Sequence, residues 1–252
     1  MNGVLGKSTG KNLTNYEKPR NKDLHNRVHT PDTTIFSDMR EFILGDCMDY
    51  LPGTPDNFYD LAIVDPPYGI GMDNQKVRTK PSRPNTYKRA NENQYKLSKW
   101  DNNAPKKVYF DELFRVSKHH IIWGANYFCE HIPSGKGWIY WDKQMGDNDF
   151  SSGEFAYQSF QIKSSCFALP SMRVKSTRIH PTQKPVQLYK WLLRNYAQTH
   201  FKILDTHVGS ASSLIAFEDF GCDYVGYELD KDYYNAATKR LKDHKSQFRL
   251  KL

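Results

Sequence analysis

Residues 61–69 read LAIVDPPYG. Leu61, Ala62, Ile63 and Val64 form a short continuous apolar run, the pattern of a strand buried on both faces. Its ending is unusual. Pro66 and Pro67 cannot donate to a ladder and fix their own φ angles, so pairing stops and the backbone stiffens there. Asp65, a free carbonyl and the Tyr68 ring are thereby held at the lip of a sheet. The bland alternative is an ordinary strand-terminating turn.

Outward from this stretch, strand and helix patterns alternate. Residues 41–45 (EFILG) predict a strand, and 46–51 a short helical stretch. Residues 110–117 space their apolar groups as a helix does, and 120–123 (HIIW), 138–141 (WIYW) and 155–160 predict strands. Residues 186–199 predict an amphipathic helix after Pro185; 202–204 and 224–227 predict strands, and 212–220 and 231–244 helices, with Gly221 as a C-cap. Such alternation implies an α/β, Rossmann-like fold with a mainly parallel sheet and helices on both faces. No internal repeat interrupts it.

The chain has 252 residues and a formal net charge of +8, enough for one sizeable domain. Residues 1–34 are polar and aperiodic, which predicts a flexible arm before a domain over 35–252. The positive charge is concentrated. Residues 71–107, a long insertion, carry Lys76, Arg78, Lys80, Arg83, Lys88 and Arg89 among ten basic residues against three acids. Residues 161–180, a shorter recognition segment, carry Arg173, Lys175 and Arg178 with no acid. Two basic segments in a mixed-charge chain point to an anionic partner such as nucleic acid, with a solvated loop surface as the alternative. No apolar run is long enough for a membrane span, and the four scattered cysteines suit a reducing cytoplasm. No metal-ligating spacing is present.

KILDTHVGSASS, residues 202–213, reads as strand, acid, glycine turn and helix. Such a turn brings backbone amides and a helix N-terminus close to a ligand. Glu228 ends the next strand 19 residues after Gly209, about where an acid meets ribose hydroxyls in dinucleotide folds. Neither GxxxxGK[ST] nor GxGxxG occurs, so a nucleoside-type cofactor without an obligatory pyrophosphate is expected, and S-adenosylmethionine fits.

With DPPY (65–68), GSAS (209–212) and Glu228 placed, the chain resembles the amino-methylating DNA methyltransferases, in particular the circularly permuted β group, whose catalytic motif precedes the glycine motif. LGDC (44–47) and RIHPTQKPVQLYKWLL (178–193) extend the resemblance over most of residues 41–244. It implies Asp65, Pro66, Pro67 and Tyr68 as the catalytic motif. It also implies cofactor contacts from Asp46, Cys47, Asp65, Thr182, Lys184, Asp205, His207, Gly209, Ser210, Ala211, Ser212 and Glu228. There are departures. His207 stands where the family usually has an aromatic, Ala211 where it usually has glycine, and the segment before HPTQKP, which often houses target recognition, is short.

An exocyclic amine is a poor nucleophile because its lone pair is delocalised into the ring. Acceptors on both its hydrogens, Asp65 and the Pro66 carbonyl, would aim that lone pair at a methyl donor, and Tyr68 can stack on a base flipped out of the duplex. The implied substrate is the adenine amine in DNA, since the family's cytosine enzymes more often carry serine where this chain has Asp65. The cytosine amine, RNA and a catalytically silent nucleic-acid-binding subunit are the alternatives. A homodimer and a cognate restriction endonuclease are compatible partners.

Overall fold

The computed structural model describes residues 39–70, 103–144, 151–160, 162–170 and 178–247. The 1–34 arm, nearly all of the 71–107 insertion, and Lys76, Arg78, Lys80, Arg83, Lys88, Arg89, Arg173 and Lys175 lie outside them.

Strand β2 (Tyr59–Val64) sits mid-sheet, and its four apolar residues are wholly buried. Alternation of side chains sends Leu61 and Ile63 to one face and Ala62 and Val64 to the other. On the first face they meet helices α2 (Val186–Tyr196) and α3 (Ser212–Phe220), through Leu188, Leu192, Leu214 and Phe217. On the second they meet α1 (Lys107–Val116), through Tyr109, Phe110 and Leu113. A strand covered on both faces has no polar side to show, which is why LAIV carries no alternation.

The remaining strands are β1 (Arg40–Leu44), β3 (Ser117–Trp123), β4 (Trp138–Asp142), β5 (Gly153–Gln158), β6 (Ser165–Ala168), β7 (Lys202–Asp205) and β8 (Asp223–Glu228). Among the described residues they form one eight-stranded sheet in the order β1-β8-β7-β2-β3-β5-β4-β6. From β1 to β3 every pairing is parallel; β5 is antiparallel to both β3 and β4. From β7 the chain crosses through α3 to β8 on one side, and from β2 through α1 to β3 on the other. The junction of β7 and β2 is therefore the switch point where a crevice opens beyond the carboxyl ends of the strands. Helix α4 (Lys231–Ser246) begins at Asp230, whose side chain accepts from the amides of Asp232 and Tyr233.

One expectation is corrected, and one strand adds to those the sequence predicts. The helical stretch at 46–51 is a pair of short 3₁₀ turns, Cys47–Asp49 and Leu51–Gly53, because Asp46 caps the first and Pro52 starts the second. The 161–180 segment contains a strand: β6 runs parallel to β4, and its Phe167 ring packs 5.4 Å from that of Trp191. At four residues with alternate exposure, β6 is too short to declare a period. Among the described residues no helix is long and apolar enough to cross a membrane.

Candidate active site

Because β1, β8, β7 and β2 are adjacent and parallel, the acids at or just beyond their ends, Asp46, Glu228, Asp205 and Asp65, stand along one edge of the sheet. Two cavities open there. The first, of about 510 Å³, is lined by the Gly45–Cys47 turn, the Thr206–Ser210 turn, Ser212, the 228–231 segment, and His180, Thr182, Lys184, Tyr189 and Tyr233. The second, of about 270 Å³, is lined by Asp65–Tyr68, Ile70, Gly124, Asn126, Tyr127, Lys143, Glu154 and Phe155. Asp65, Pro67, Thr182 and Lys184 belong to both. The DPPY segment is the partition between two chambers.

In the first cavity, Glu228 accepts from the Gly209 amide at 2.8 Å and from the Asp230 amide at 2.9 Å, fixing the glycine turn to the end of β8. Burial raises its carboxyl pKa. Asp46 spends Oδ1 on the Met48 amide at 2.9 Å. The lining carries the carboxylates of Asp46, Asp65, Glu228 and Asp230 against the ammoniums of Lys184 and Lys231, with apolar surface from Val208, Leu229 and Tyr189. Such a chamber suits a cationic ligand rich in hydroxyl and amine donors. His207 lines it with Nδ1 2.9 Å from Thr206 Oγ1, and burial brings its pKa down to about 4.

The turn itself is built on left-handed backbone. Gly209 has φ +56° and Ala211 φ +60°, the latter at the N-cap of α3. For alanine this conformation costs about 1–2 kcal/mol. Ala211 is fully buried and does not line the cavity. Asp205 does not line it either: it is buried, with Oδ1 accepting from the His207 amide at 3.0 Å and Oδ2 from Ser213 Oγ at 2.5 Å. Both oxygens are spent holding the turn to the first turn of α3, and burial pushes the carboxyl up to about 7. The sequence-expected contacts from Asp205 and Ala211 are thus placed behind the chamber wall. Asp46, Cys47, Thr182, Lys184, His207, Gly209, Ser210, Ser212 and Glu228 line it.

The partition is an ionic network. Lys184, only 2% exposed, donates to Asp65 Oδ2 at 2.5 Å and lies 2.9 Å from Glu154 Oε2 and 3.3 Å from Tyr68 Oη. Tyr68 Oη donates to Asp65 Oδ1 at 2.8 Å, and Lys143 pairs with Glu154 Oε1 at 2.5 Å. Burial would lower the Lys184 pKa, but Asp65 and Glu154 outweigh it and raise it. Burial likewise would raise Glu154, but Lys184 and Lys143 hold its carboxyl down at about 2. For Asp65 burial wins over Lys184, and its pKa stands above the usual carboxylate range.

The Tyr68 ring stacks on Tyr127, 4.9 Å away and 16° from parallel. Gly124, at φ +66° just beyond β3, lies against it; a Cβ there would lie 2.1 Å from Tyr68 Cε1. Only glycine fits both the backbone and the ring. Trp123, fully buried, puts its ring 5.4 Å from the Lys184 ammonium. Arg178 is half-buried just ahead of His180.

Sequence reasoning missed Glu154, Lys143, Tyr127 and His180. Glu154 had a signal. In GEFAYQ it shares the face of Ala156, the buried one, and an acid on a buried face needs a cation.

Residues 78–239, more than half of the chain, match the family described as DNA methylase, the N6/N4 amino-methyltransferases, and the chain belongs to that family. The provisionally named methylase YubD of Escherichia coli (strain K12) is 26% identical over 222 residues, covering 81% of this chain and 90% of that one. Among solved structures, the M1.HpyAVI–SAM complex superposes with a TM-score of 0.51 at 17% identity, over 81% of this chain and 99% of that one. The PvuII DNA methyltransferase, cytosine-N4-specific, gives 0.51 at 10% identity, over 82% and 92%. At these identities the structural likeness establishes the fold, a methyltransferase sheet.

Proposed function

We propose that this chain is an S-adenosylmethionine-dependent methyltransferase acting on the exocyclic amine of adenine in DNA, with the base turned out of the duplex into the second cavity. The observation that carries the proposal is the partition: one segment, Asp65–Tyr68, faces both chambers, as a transfer between two bound molecules requires.

The first cavity fits the cofactor. Glu228 and Asp46 offer their remaining lone pairs to ribose hydroxyls and the adenine amine, and the surplus of carboxylates suits a sulfonium. Gly209, Ser210 and Ser212 bring small residues against it. When bound, S-adenosylmethionine supplies an electrophilic methyl group on a good leaving group, so positioning is the main task left to the protein. Asp65 and the Pro66 carbonyl accept the two amine hydrogens, and the diproline holds both acceptors rigid before the substrate arrives. Flipping the base costs a few kcal/mol. Stacking on the Tyr68–Tyr127 pair offsets about 1–3 kcal/mol of that. The basic segments around Lys76–Arg89 and Arg173–Arg178 are assigned to the DNA backbone on their charge.

The test is nucleoside mass spectrometry of unmethylated DNA incubated with the protein and S-adenosylmethionine, beside Asp65→Ala. N6-methyladenine from wild type and none from the variant is the expected result. N4-methylcytosine would keep the geometry and correct the base, and a methylated nucleoside only from RNA would correct the polymer. No product from any of these, together with no heat on titrating cofactor, would overturn the proposal in favour of a silent binding subunit.

A further inference from the structure

Lys184 has three N–H donors, and three acceptors of the partition lie within 3.3 Å of its Nζ: Asp65 Oδ2, Glu154 Oε2 and Tyr68 Oη. Left alone with Asp65, a buried ammonium 2.5 Å away would take up much of the acceptor strength that the carboxylate needs for an amine. It is not left alone. Glu154, which nothing in the motif singles out, sits at the start of β5 and meets the same ammonium at 2.9 Å, and is itself paired with Lys143. Asp65, Lys184, Glu154 and Lys143 thus form a line of alternating charge from the partition outward.

Resting on the reading of Asp65 as amine acceptor, we propose that Glu154 is a positioning residue for methyl transfer: it draws the Lys184 ammonium into a shared position between two carboxylates, so that Asp65 stays oriented by Lys184 yet retains acceptor strength. Lys143 sets how hard Glu154 pulls.

Asp65 is faced by Tyr68 from its own segment, Lys184 from the loop before α2, Tyr189 from α2, Glu154 from β5, Asp205 from the end of β7 and Tyr109 from α1, with Lys143 behind Glu154. Of these, Glu154 and Lys143 can be altered without touching the motif, and their charges act on Asp65 in opposite directions. Removing Glu154's charge leaves Lys184 to Asp65 alone, so Asp65 ionises at lower pH. Removing Lys143's charge strengthens Glu154's claim on Lys184, so Asp65 ionises at higher pH.

The experiment records the kcat–pH profile of wild type, Glu154→Gln and Lys143→Met on DNA at saturating cofactor. Alongside it, the Asp65 carboxyl is titrated by ¹³C NMR of aspartate-labelled protein, assigned with Asp65→Asn. The acidic limb should move down in Glu154→Gln and up in Lys143→Met. Glu154→Gln should also lose about ten- to a hundredfold in kcat at neutral pH, with unchanged cofactor Kd. A merely structural glutamate would shift both profiles alike or neither, and either result overturns the inference. A wild type that methylates while its limbs do not respond defeats this inference alone. A wild type without product defeats the proposed function, and the NMR titration still decides whether Glu154 and Lys143 move Asp65 in opposite directions.

Discussion

Two neighbouring strands of this sheet end in aspartate, and the two aspartates do different work. Asp65 stands just beyond β2 and faces both cavities, where its charge is met by the ammonium of Lys184. Asp205 ends β7, is closed off from both cavities and spends both oxygens on the turn behind it. The first is placed to touch a ligand, the second to hold the loop that touches one. The difference lies in the residues next along the chain. Two prolines after Asp65 forbid the backbone from turning back to satisfy the carboxylate locally. The proline-free turn after Asp205 folds over it instead and lends a backbone amide, while the first turn of α3 lends the Ser213 hydroxyl.

The contrast is most exposed at Gly124, behind the catalytic segment. Replacing Gly124 with Ala would drive a methyl group into the Tyr68 ring on a backbone of positive φ. Transfer should fall by the stacking worth of that ring, about 1–3 kcal/mol or roughly 5- to 160-fold, with cofactor Kd unchanged in calorimetry. A cofactor site damaged equally would show that the two chambers are not separately built.

Asp205→Asn should act on stability and its pH dependence. The folded Asp205 carboxyl titrates at about 7, above its unfolded value, so its contribution is fullest at low pH and is lost as pH rises from about 4 to about 7. His120, His180 and His207 are held near 4 by burial, so they contribute with the opposite sign, and their stability is lost as pH falls from about 6.5 to about 4. Removing Asp205's titration therefore leaves the histidines less strongly opposed, with the raised carboxyls of Asp65 and Glu228 still acting against them. Tm measured by calorimetry between about pH 5 and about pH 7 should rise more steeply in the variant than in wild type. An unchanged slope would place the Asp205 titration elsewhere.

The smallest effect is expected at Ala211. Glycine there relieves about 1–2 kcal/mol of left-handed strain but frees the unfolded chain by about 0.4–1 kcal/mol. Ala211→Gly should be neutral to stabilising by up to about 1.6 kcal/mol in urea denaturation, with transfer little altered. A clear loss of stability would mean that the buried Cβ of Ala211 matters more than its φ.

Much of this was legible in the sequence, and the unread parts share a physical cause. Elements with strong periodicity or a sharp stop were readable: LAIV into DPP, the helix closing at Gly221, and the strand closing at Glu228. The acids at the sheet edge could be read from where those strands stop. Short elements without a period, the 3₁₀ turns after Asp46 and the strand β6, were not readable. Asp205 stands at the strand end read from the sequence, but its turn towards the His207 amide and Ser213 was not legible there, since sequence does not say which way a carboxylate turns. The Lys184–Glu154 pair joins two residues far apart in sequence, and only the antiparallel insertion of β5 between β3 and β4 brings them together.

Single-turnover methyl transfer to unmethylated DNA would decide whether Asp65 belongs to the reaction while Asp205 belongs to the loop. Labelled S-adenosylmethionine would be used at matched cofactor occupancy, with Asp65→Asn and Asp205→Asn side by side. At matched cofactor occupancy Asp65→Asn should lose on the order of a hundredfold or more in the transfer rate, the scale of one lost preorganised electrostatic contact. Asp205→Asn should transfer near the wild-type rate once its site is filled. A slow Asp205→Asn at full occupancy, or an Asp65→Asn that transfers normally, would refute that division of labour.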